Sequence, residues 1–377
     1  MTRQPTQPRT IPHVAARSAI ESAVIDRLDR QILQGLRLAP RIPFARLAAV
    51  LEVSEQTVAR RYQRMRGAGL LRVFGQANPE LLPGYTYWTL RIACRPGTAT
   101  TTAQALARRT DTSWVTIGAG GAELTCAVRV AEGRDGHEGL LHHLPRAANV
   151  LSLSAHQVLH RFVGRGETDW IAGDAQLDAG QRARLLTGHD PGLRAGREPG
   201  PAAGDEPRAR AGTDAPVEGD AHVEPGDRSL LAALATDGRA GYAALAAATG
   251  WTQRKVALRL AALTAAQAVY FDTEVAATLM GFRAAANLWF TVAPADLAAV
   301  GARLADHRQL VWAAAVTGTT SITATALCRD AGELYRYLTT EVAAIPEIRS
   351  CETVPVQNRV KHAVSLVDGG VLGAPVV

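Results

Sequence analysis

The chain has almost no lysine. Lys255 and Lys361 are the only two lysines among its 41 basic residues, so arginine supplies nearly all of the positive charge. The formal net charge is +6 and the pI is about 9.4. A basic excess of this size is compatible with nucleic acid, an acidic membrane or no charged partner, so the position of the arginines matters more than their number.

Cysteines are few, and long apolar runs are absent. The four cysteines lie far apart without a CxxC pair, which predicts buried, reduced thiols in place of disulfides or a zinc site. No apolar run reaches the ~18 residues of a membrane-spanning helix, and the N-terminus lacks the apolar segment of a signal peptide. We therefore expect a cytoplasmic protein that makes no membrane contact.

The most informative feature of the chain is an internal repeat at a constant offset of 198 residues. The match begins near Asp26 and Glu224 and ends near Arg161 and Arg359. A period this long indicates duplicated domains. The matched positions include two tryptophans, two glycines and two late arginines: Trp114 and Trp312, Gly120 and Gly318, Arg161 and Arg359.

Composition and periodicity divide each repeat into a helical part and a mixed part, which predicts an α+β chain with two helix-turn-helix domains and two ferredoxin-like βαββαβ sensor domains. A Pro- and Arg-rich arm precedes the repeats, and a Gly-, Pro- and Ala-rich linker separates them. The predicted segments are the arm 1–22, helix-turn-helix 23–75, sensor 82–165, linker 187–222, helix-turn-helix 223–272 and sensor 282–364.

The helical part of the first repeat reads as three short helices. Ser54 is a natural N-cap for the third helix, and Gln56 and Thr57 are polar residues of its first turn. Five arginines and one glutamate fall within residues 54–73, where a helix-turn-helix domain keeps its recognition helix. On an isolated helix such a run is usually a solvated face, but in this setting it favours contact with DNA phosphates and base edges.

The candidate DNA-binding residues follow from this reading. The sequence signal for DNA binding is weaker in the second copy, because its surface is rich in alanine. We expect this copy either to bind DNA more loosely or to have a structural role. The candidates are Gln56, Thr57, Arg60, Arg61 and Arg64 in the first copy and Arg254, Lys255 and Arg259 in the second.

Each repeat resembles a regulator of the Lrp/AsnC family. The resemblance rests on the starts LDRQILQGL and GDRSLLAAL, on the recognition-helix sequences QTVARRYQRMRGAGLL and RKVALRLAALTAAQAV, and on the stretch that begins VTGTTSITATALC. It implies a DNA-binding transcriptional regulator without a cofactor, whose sensor modules pair through their sheets and bind a small effector. A typical member has one unit and dimerises, so we expect a pseudo-dimer within this chain, built into a homo-oligomer.

The resemblance also implies where an effector binds. The family has a Gly-x-x-Asp turn between the second and third sensor strands. Here the turn reads Gly120-Gly-Ala-Glu123 in one copy and Gly318-Thr-Thr-Ser321 in the other, so the expectation of an amino-acid ligand is weakened. The candidate effector-binding residues are Gly120, Glu123, Thr317, Gly318, Thr319 and Ser321.

Three signals of enzymes or metal sites fit the sequence less well. The stretch Gly118-Ala-Gly120-Gly121 precedes a strand and not a helix, which disfavours a dinucleotide site. The histidines have no accompanying carboxylate, so no metal is expected. Siroheme decarboxylases share the two-part architecture, but their resemblance is one short strand at Asn287. We therefore predict that the chain is not an enzyme, and keep that enzyme and a non-DNA-binding interaction protein as alternatives.

The predicted sensor sheets also carry an expectation about packing. An isolated ferredoxin-like sheet leaves a bare face or edge that needs a partner. We expect the two modules to pair about a pseudo-two-fold axis and to bury apolar strand residues between them. The residues expected at that contact are Trp88, Leu90, Leu288 and Phe290.

Overall fold

The structure is a computed structural model that describes residues 25–78, 81–82, 84–132, 139–164, 177–186 and 222–377. The predicted arm and the predicted linker as far as residue 221 lie outside these ranges. Within them, no helix is long and apolar enough to cross a membrane. Three of the four cysteines are buried, Cys351 is partly buried, and all four are free thiols.

The first helix-turn-helix domain has the three predicted helices and a following strand. Asp26 and Asp29 form a capping box at the start of the first helix, and Ser54 accepts a hydrogen bond from the backbone N–H of Thr57 at the start of the third. Glu52 ends the second helix in the left-handed conformation. The elements are α1 Arg27–Leu38, α2 Phe44–Leu51, α3 Glu55–Gly67 and β1 Leu71–Ala77.

The second helix-turn-helix domain repeats this arrangement, and the two domains are joined by a two-stranded ribbon. Strands β1 and β6 pair antiparallel, with Leu71 opposite Val275 and Ala77 opposite Val269. The ribbon fixes the two domains relative to each other. The elements of the second domain are α7 Arg228–Thr236, α8 Tyr242–Thr249, α9 Gln253–Ala265 and β6 Val269–Val275.

A further helix, α6 Ala179–Leu186, packs on the first helix-turn-helix domain. Leu185 is fully buried beside α1 and α2, and the backbone N–H of Leu177 donates to the side-chain oxygen of Gln34 at 2.9 Å. The segment had no sequence prediction, because only a few apolar residues in this stretch mark a buried face. It extends the first domain on the side of α1 and α2.

The sensor strands of both repeats join in one closed eight-stranded barrel. The strands are β2 Tyr85–Cys94, β3 Thr112–Gly118, β4 Glu123–Ala131, β5 Val150–Val163, β7 Ala284–Val292, β8 Leu310–Val316, β9 Ile322–Cys328 and β10 Ile348–Arg359. Their order around the barrel is β10-β3-β4-β2-β5-β8-β9-β7, so each repeat supplies four strands. The copies meet at two seams, β5 with β8 and β10 with β3.

The pairing of the modules therefore occurs within the chain, but the residues expected at the contact lie elsewhere. Leu90 is buried in the core of the first module, where Trp88 packs against the same cluster, and Leu288 and Phe290 are buried in the core of the second. The prediction that they face the other module is wrong. The modules join by strand pairing at their edges, and alternate residues of each strand point away from these cores into the barrel.

The helices of the modules cover the outside of the barrel. Glycine at position 301 is required on α10, because a Cβ there would lie 2.1 Å from the ring of Phe162 on β5 of the other repeat. That contact joins the modules outside the barrel. The helices are α4 Ala99–Ala107, α5 Leu140–His143, α10 Leu297–Ala305 and α11 Ala331–Tyr337, the last continuing as a π-helical turn, Leu338–Val342.

The C-terminal residues connect the barrel to the helix-turn-helix domains. Strands β11 Ser365–Asp368 and β12 Val371–Pro375 form a hairpin, and the backbone N–H of Leu372 donates to the carbonyl of Gly69 at 2.7 Å. The carboxylate of the buried Glu274 on β6 accepts hydrogen bonds from the backbone N–H groups of Val364 and Ser365 at 2.8 and 3.2 Å. The tail thus lies against both domains.

Candidate nucleic-acid interface and ligand cavity

Two of the candidate DNA-binding arginines hold α3 to the rest of its domain. Arg61 donates to Asp26 at 2.6 Å and to Asp29 at 3.0 Å, and Arg64 donates to Asp29 at 2.5 Å. Asp29 is fully buried, so its carboxylate depends on these guanidinium groups. The hydrogen bonds tie α3 to α1, a structural role that the sequence reading did not include.

Only some of the predicted DNA-binding residues lie on the outward face of α3. Gln56 and Arg60 are exposed, and so is Gln63, which was not among the candidates. Thr57 is partly buried, and its hydroxyl lies 2.8 Å from that of Ser54 at the helix N-terminus. Within the described part of the chain, Arg60 forms no ion pair. Amide and guanidinium groups on one exposed helix face have the chemistry that reads base edges in a major groove.

The second recognition helix, α9, presents a different face. Arg259 is bound to the buried Asp227 at 2.9 and 2.7 Å, as its counterpart Arg61 is to Asp29. Arg254 is exposed, and the ammonium of Lys255 lies 4.2 Å from the ring centre of Trp251. Leu258, at the position of Arg60, is 63% exposed. The face offers two cations beside an apolar residue.

The candidate effector residues of the first glycine turn are at the surface or in ion pairs. Gly120 is exposed with φ 71°. Glu123 receives two hydrogen bonds from Arg91, at 3.1 and 2.7 Å, and Arg91 also binds Glu352. The hydrogen bonds to Glu352, and those to Glu123, raise the pKa of Arg91 despite its partial burial. The Glu123 carboxylate is thus already occupied.

The second glycine turn is held against the strands around it. The hydroxyl of Thr317 accepts a hydrogen bond from the backbone N–H of Gln157, and the hydroxyl of Ser321 donates to the carbonyl of Val292 at 2.7 Å. A Cβ at Gly318 would lie 2.6 Å from Nδ1 of His156, and Thr319 is exposed. Neither turn lines the cavity described next, and effector binding at these residues stays a prediction.

A cavity of about 240 Å³ lies inside the barrel at the end that faces the β1–β6 ribbon. Thr89 and Thr125 on the first module line it opposite Asn287 and Thr323 on the second, and Gln76 and Tyr270 of the ribbon close its end. Each pair of sensor residues is related by the 198-residue offset. The cavity therefore lies on the pseudo-two-fold axis of the chain, a position that sequence alone could not give.

Three arginines line this cavity. Arg161 and Arg359 are counterparts in the repeat, and Arg129 comes from the first module alone. Loss of hydration lowers the pKa of Arg359 to about 10. Among the described lining residues the single carboxylate is that of Asp111, which already accepts from Arg109 at 2.8 and 2.6 Å. The lining is positively charged.

Aromatic rings line the cavity beside these cations. Trp114 and Trp312 are repeat counterparts, and the guanidinium of Arg359 lies 5.7 Å from the ring centre of Trp114. Burial raises the pKa of Tyr87 to about 12, although Arg129 and Arg161 act in the opposite direction. The phenol therefore stays protonated near neutral pH and can donate a hydrogen bond.

Both parts of the repeat match known domain families. The chain matches the AsnC-type helix-turn-helix domain at residues 25–66 and 226–264, and the Lrp/AsnC ligand binding domain at residues 286–366. Two solved structures of the siroheme decarboxylase NirDL, one in complex with an iron-uroporphyrin III analogue, are similar in fold. Their TM-scores are 0.56 and 0.52 at 10% and 12% identity, and each match covers 89% of this chain and 93% of that chain.

Escherichia coli AsnC is 25% identical over 36% of this chain and 93% of its own, with a TM-score of 0.33. The search of curated proteins gives no match. Fold and domains together define a regulator-type scaffold in which a helix-turn-helix domain precedes a ferredoxin-like ligand-binding module, present twice. The chain carries domains of the Lrp/AsnC family in tandem: two AsnC-type helix-turn-helix domains and a matched Lrp/AsnC ligand binding domain.

The NirDL match corrects one prediction. The chain was expected not to be an enzyme, yet the structures that match along nearly its whole length belong to a decarboxylase. A firm exclusion of enzyme activity is therefore wrong, because a decarboxylase has this same duplicated fold. In the sequence, only the strand around Asn287 resembled siroheme decarboxylases. The similarity in fold extends through both repeats.

Proposed function

We propose that this chain is a DNA-binding transcriptional regulator of the Lrp/AsnC type that responds to a small molecule in the cytoplasm. The observation that carries the proposal is the outward face of α3, where Gln56, Arg60 and Gln63 are exposed on an N-capped recognition helix. Side chains of this kind at the start of a recognition helix reach base edges, while neighbouring backbone and basic groups contact phosphate.

The two helix-turn-helix domains are proposed to contribute unequally. In α9 the exposed Leu258 replaces Arg60, so that copy has fewer groups for phosphate and base edges. Arg254 and Lys255 remain available for contacts with the DNA backbone. The first domain then supplies most of the sequence specificity, and the second supplies non-specific affinity.

A matched pair of substitutions tests this proposal. Binding of a duplex selected from a random-sequence pool is measured over a range of salt for the Arg60→Ala and Leu258→Ala variants. Loss of one arginine contact should reduce the slope of log affinity against log salt by about 1, whereas Leu258→Ala should leave it unchanged. A wild-type chain that binds no duplex, or an Arg60→Ala variant with the wild-type slope, contradicts the proposal and favours an interaction protein.

A second candidate is an enzyme acting on a tetrapyrrole, which the whole-length similarity to NirDL favours. The three arginines of the barrel cavity are suited to the carboxylates of such a substrate, although the cavity of about 240 Å³ is small for a macrocycle. Titration with iron uroporphyrin III, followed in the Soret region, tests it. A saturable shift that is lost in the Arg161→Gln/Arg359→Gln variant supports the enzyme, and no shift contradicts it.

A further inference from the structure

We infer that the barrel cavity binds a small aromatic carboxylate. The inference deepens the proposed function by naming the class of effector, but binding in the cavity does not depend on DNA. The site differs from the glycine turns, because Gly120, Glu123, Gly318 and Ser321 lie outside its lining. It is formed by both repeats and is closed by the ribbon that joins the helix-turn-helix domains.

The charge of the lining selects an anion. Arg129, Arg161 and Arg359 line the cavity, and the one described carboxylate of its lining, that of Asp111, is bound by Arg109. A planar guanidinium pairs with a carboxylate through two parallel hydrogen bonds. Arg129 and Arg161 both act on the phenol of Tyr87, and Arg359 lies beside Trp114 on the wall of the same cavity. A carboxylate in the cavity therefore has guanidinium donors on its wall.

The aromatic residues select a flat apolar body for the rest of the ligand. Trp114 and Trp312 supply indole rings from the two modules, and Tyr87 supplies a phenol. Trp114 has φ 53°, a conformation that L residues rarely adopt, and its backbone N–H donates to the carbonyl of His362 at 3.0 Å. The tail therefore fixes this strained residue at the cavity wall, with its ring 5.5 Å from that of His362.

The size of the cavity limits the ligand. About 240 Å³ is below the range of roughly 300–1,000 Å³ typical of pockets for drug-sized molecules. One ring system with a short acidic side chain fills such a space. Threonine hydroxyls from both modules, including Thr125 and Thr323, add hydrogen-bonding groups that have no charge.

The position of the cavity connects a ligand to the DNA-binding domains. Gln76 and Tyr270 at its end belong to β1 and β6, and they hydrogen-bond to each other. The tail continues from the lining residues Arg359 and Ala363 to the contacts of Val364 and Ser365 with Glu274. A ligand at this position contacts the ribbon directly and can change the relative positions of the two recognition helices.

A pair of probes that differ only in charge tests the inference. Binding of indole-3-acetate and of the neutral indole-3-acetamide to the full chain is measured by calorimetry at low salt. A charge-assisted hydrogen bond should make the carboxylate bind about 10-fold more tightly or better. In the Arg161→Gln/Arg359→Gln variant this preference should disappear, whereas Arg108→Gln, which removes an exposed arginine away from the cavity, should retain it.

A second variant keeps the test independent of the arginine substitutions. Ala127→Leu adds volume inside the cavity and keeps all three arginines, so it should abolish binding of both probes while thermal unfolding stays cooperative. Equal affinity for the two probes, no binding by the wild-type chain at millimolar concentration, or wild-type affinity in Ala127→Leu would overturn the inference. DNA binding, measured separately on Arg60→Ala, reports on the proposed function alone.

Discussion

The aspartate near the start of each repeat determines which arginines are available to a partner. Asp29 and Asp227 are buried, and each accepts hydrogen bonds from an arginine 32 residues later on the recognition helix. The sequence shows the arginines as one basic run, because helical periodicity alone cannot tell a guanidinium in solvent from one held by a distant carboxylate. Only Gln56 and Arg60 of the first-copy candidates are exposed and form no such bond among the described residues.

The neighbouring residues Arg61 and Arg60 should differ in their effect on stability. Arg61→Ala removes a partner of the fully buried Asp29 and should lower the free energy of unfolding by about 1–3 kcal/mol. Arg60→Ala removes an exposed side chain and should change it by less than about 0.5 kcal/mol. Urea denaturation followed by circular dichroism measures both, and equal losses would refute the assigned roles.

Asp227 should make part of the stability depend on pH. Burial acts to raise its pKa, but hydrogen bonds from Arg259 and from the backbone of Glu224 outweigh it, so the pKa is lowered. A carboxyl whose folded pKa is depressed stabilises the fold above its unfolded pKa, and this contribution is lost as pH falls through the folded value. Between about pH 5 and pH 3 the wild type should therefore lose more unfolding free energy than Asp227→Asn. Parallel curves of unfolding free energy against pH for the two proteins would contradict this prediction.

At the scale of elements, the sequence predicted the helices and strands that have a regular hydrophobic period. It did not predict short elements that depend on contacts with residues far away in sequence. The βαββαβ order of each sensor follows from strands of period 2 alternating with helical stretches, and the structure has it. Helix α6 and the β11–β12 hairpin had no prediction, because each is short and is stabilised by contacts with residues far away in sequence. The path of α10 over β5 of the other repeat is a third feature of that kind.

The contact of α10 with β5 predicts a large effect of one methyl group. Gly301→Ala would place its Cβ 2.1 Å from the ring of Phe162, so the ring or the helix must move. Overpacking of this kind should lower the free energy of unfolding by about 1–3 kcal/mol. Gly67→Ala is the control, because no atom lies within 4 Å of its added Cβ. Comparable melting temperatures for the two variants would show that Phe162 adjusts without cost.

At the scale of the whole molecule, closure of the barrel ties the two repeats together. The seams β5–β8 and β10–β3 and the ribbon β1–β6 each pair one repeat with the other. The duplication was evident from the sequence and predicted an intrachain pair. The cavity was not predictable, since its lining residues come from all eight barrel strands, the ribbon and the tail, and they surround one space only when the barrel closes. A homo-oligomer of such chains stays a prediction.

Cutting the chain between the repeats should leave it assembled. A protease site placed in segment 187–221 would be cleaved in the purified full chain. Because three sets of strand pairs cross between the repeats, the fragments should co-elute at the size of the intact protein and melt in one transition. Separation of the fragments under native conditions would mean that the covalent connection is needed to hold the seams together.

Because both repeats line the one cavity, their differences affect how a ligand is oriented in it. In a homodimer, a site on the two-fold axis presents every side chain twice, so an asymmetric ligand binds equally well in two opposite poses. Here the copies have diverged: Tyr87 and Arg129 of the first module line the cavity, and the equivalent positions of the second module hold Ala285 and Leu327. The divergence of the copies removes this degeneracy, so one chain can hold an asymmetric ligand in a single direction, with its two ends recognised by different residues.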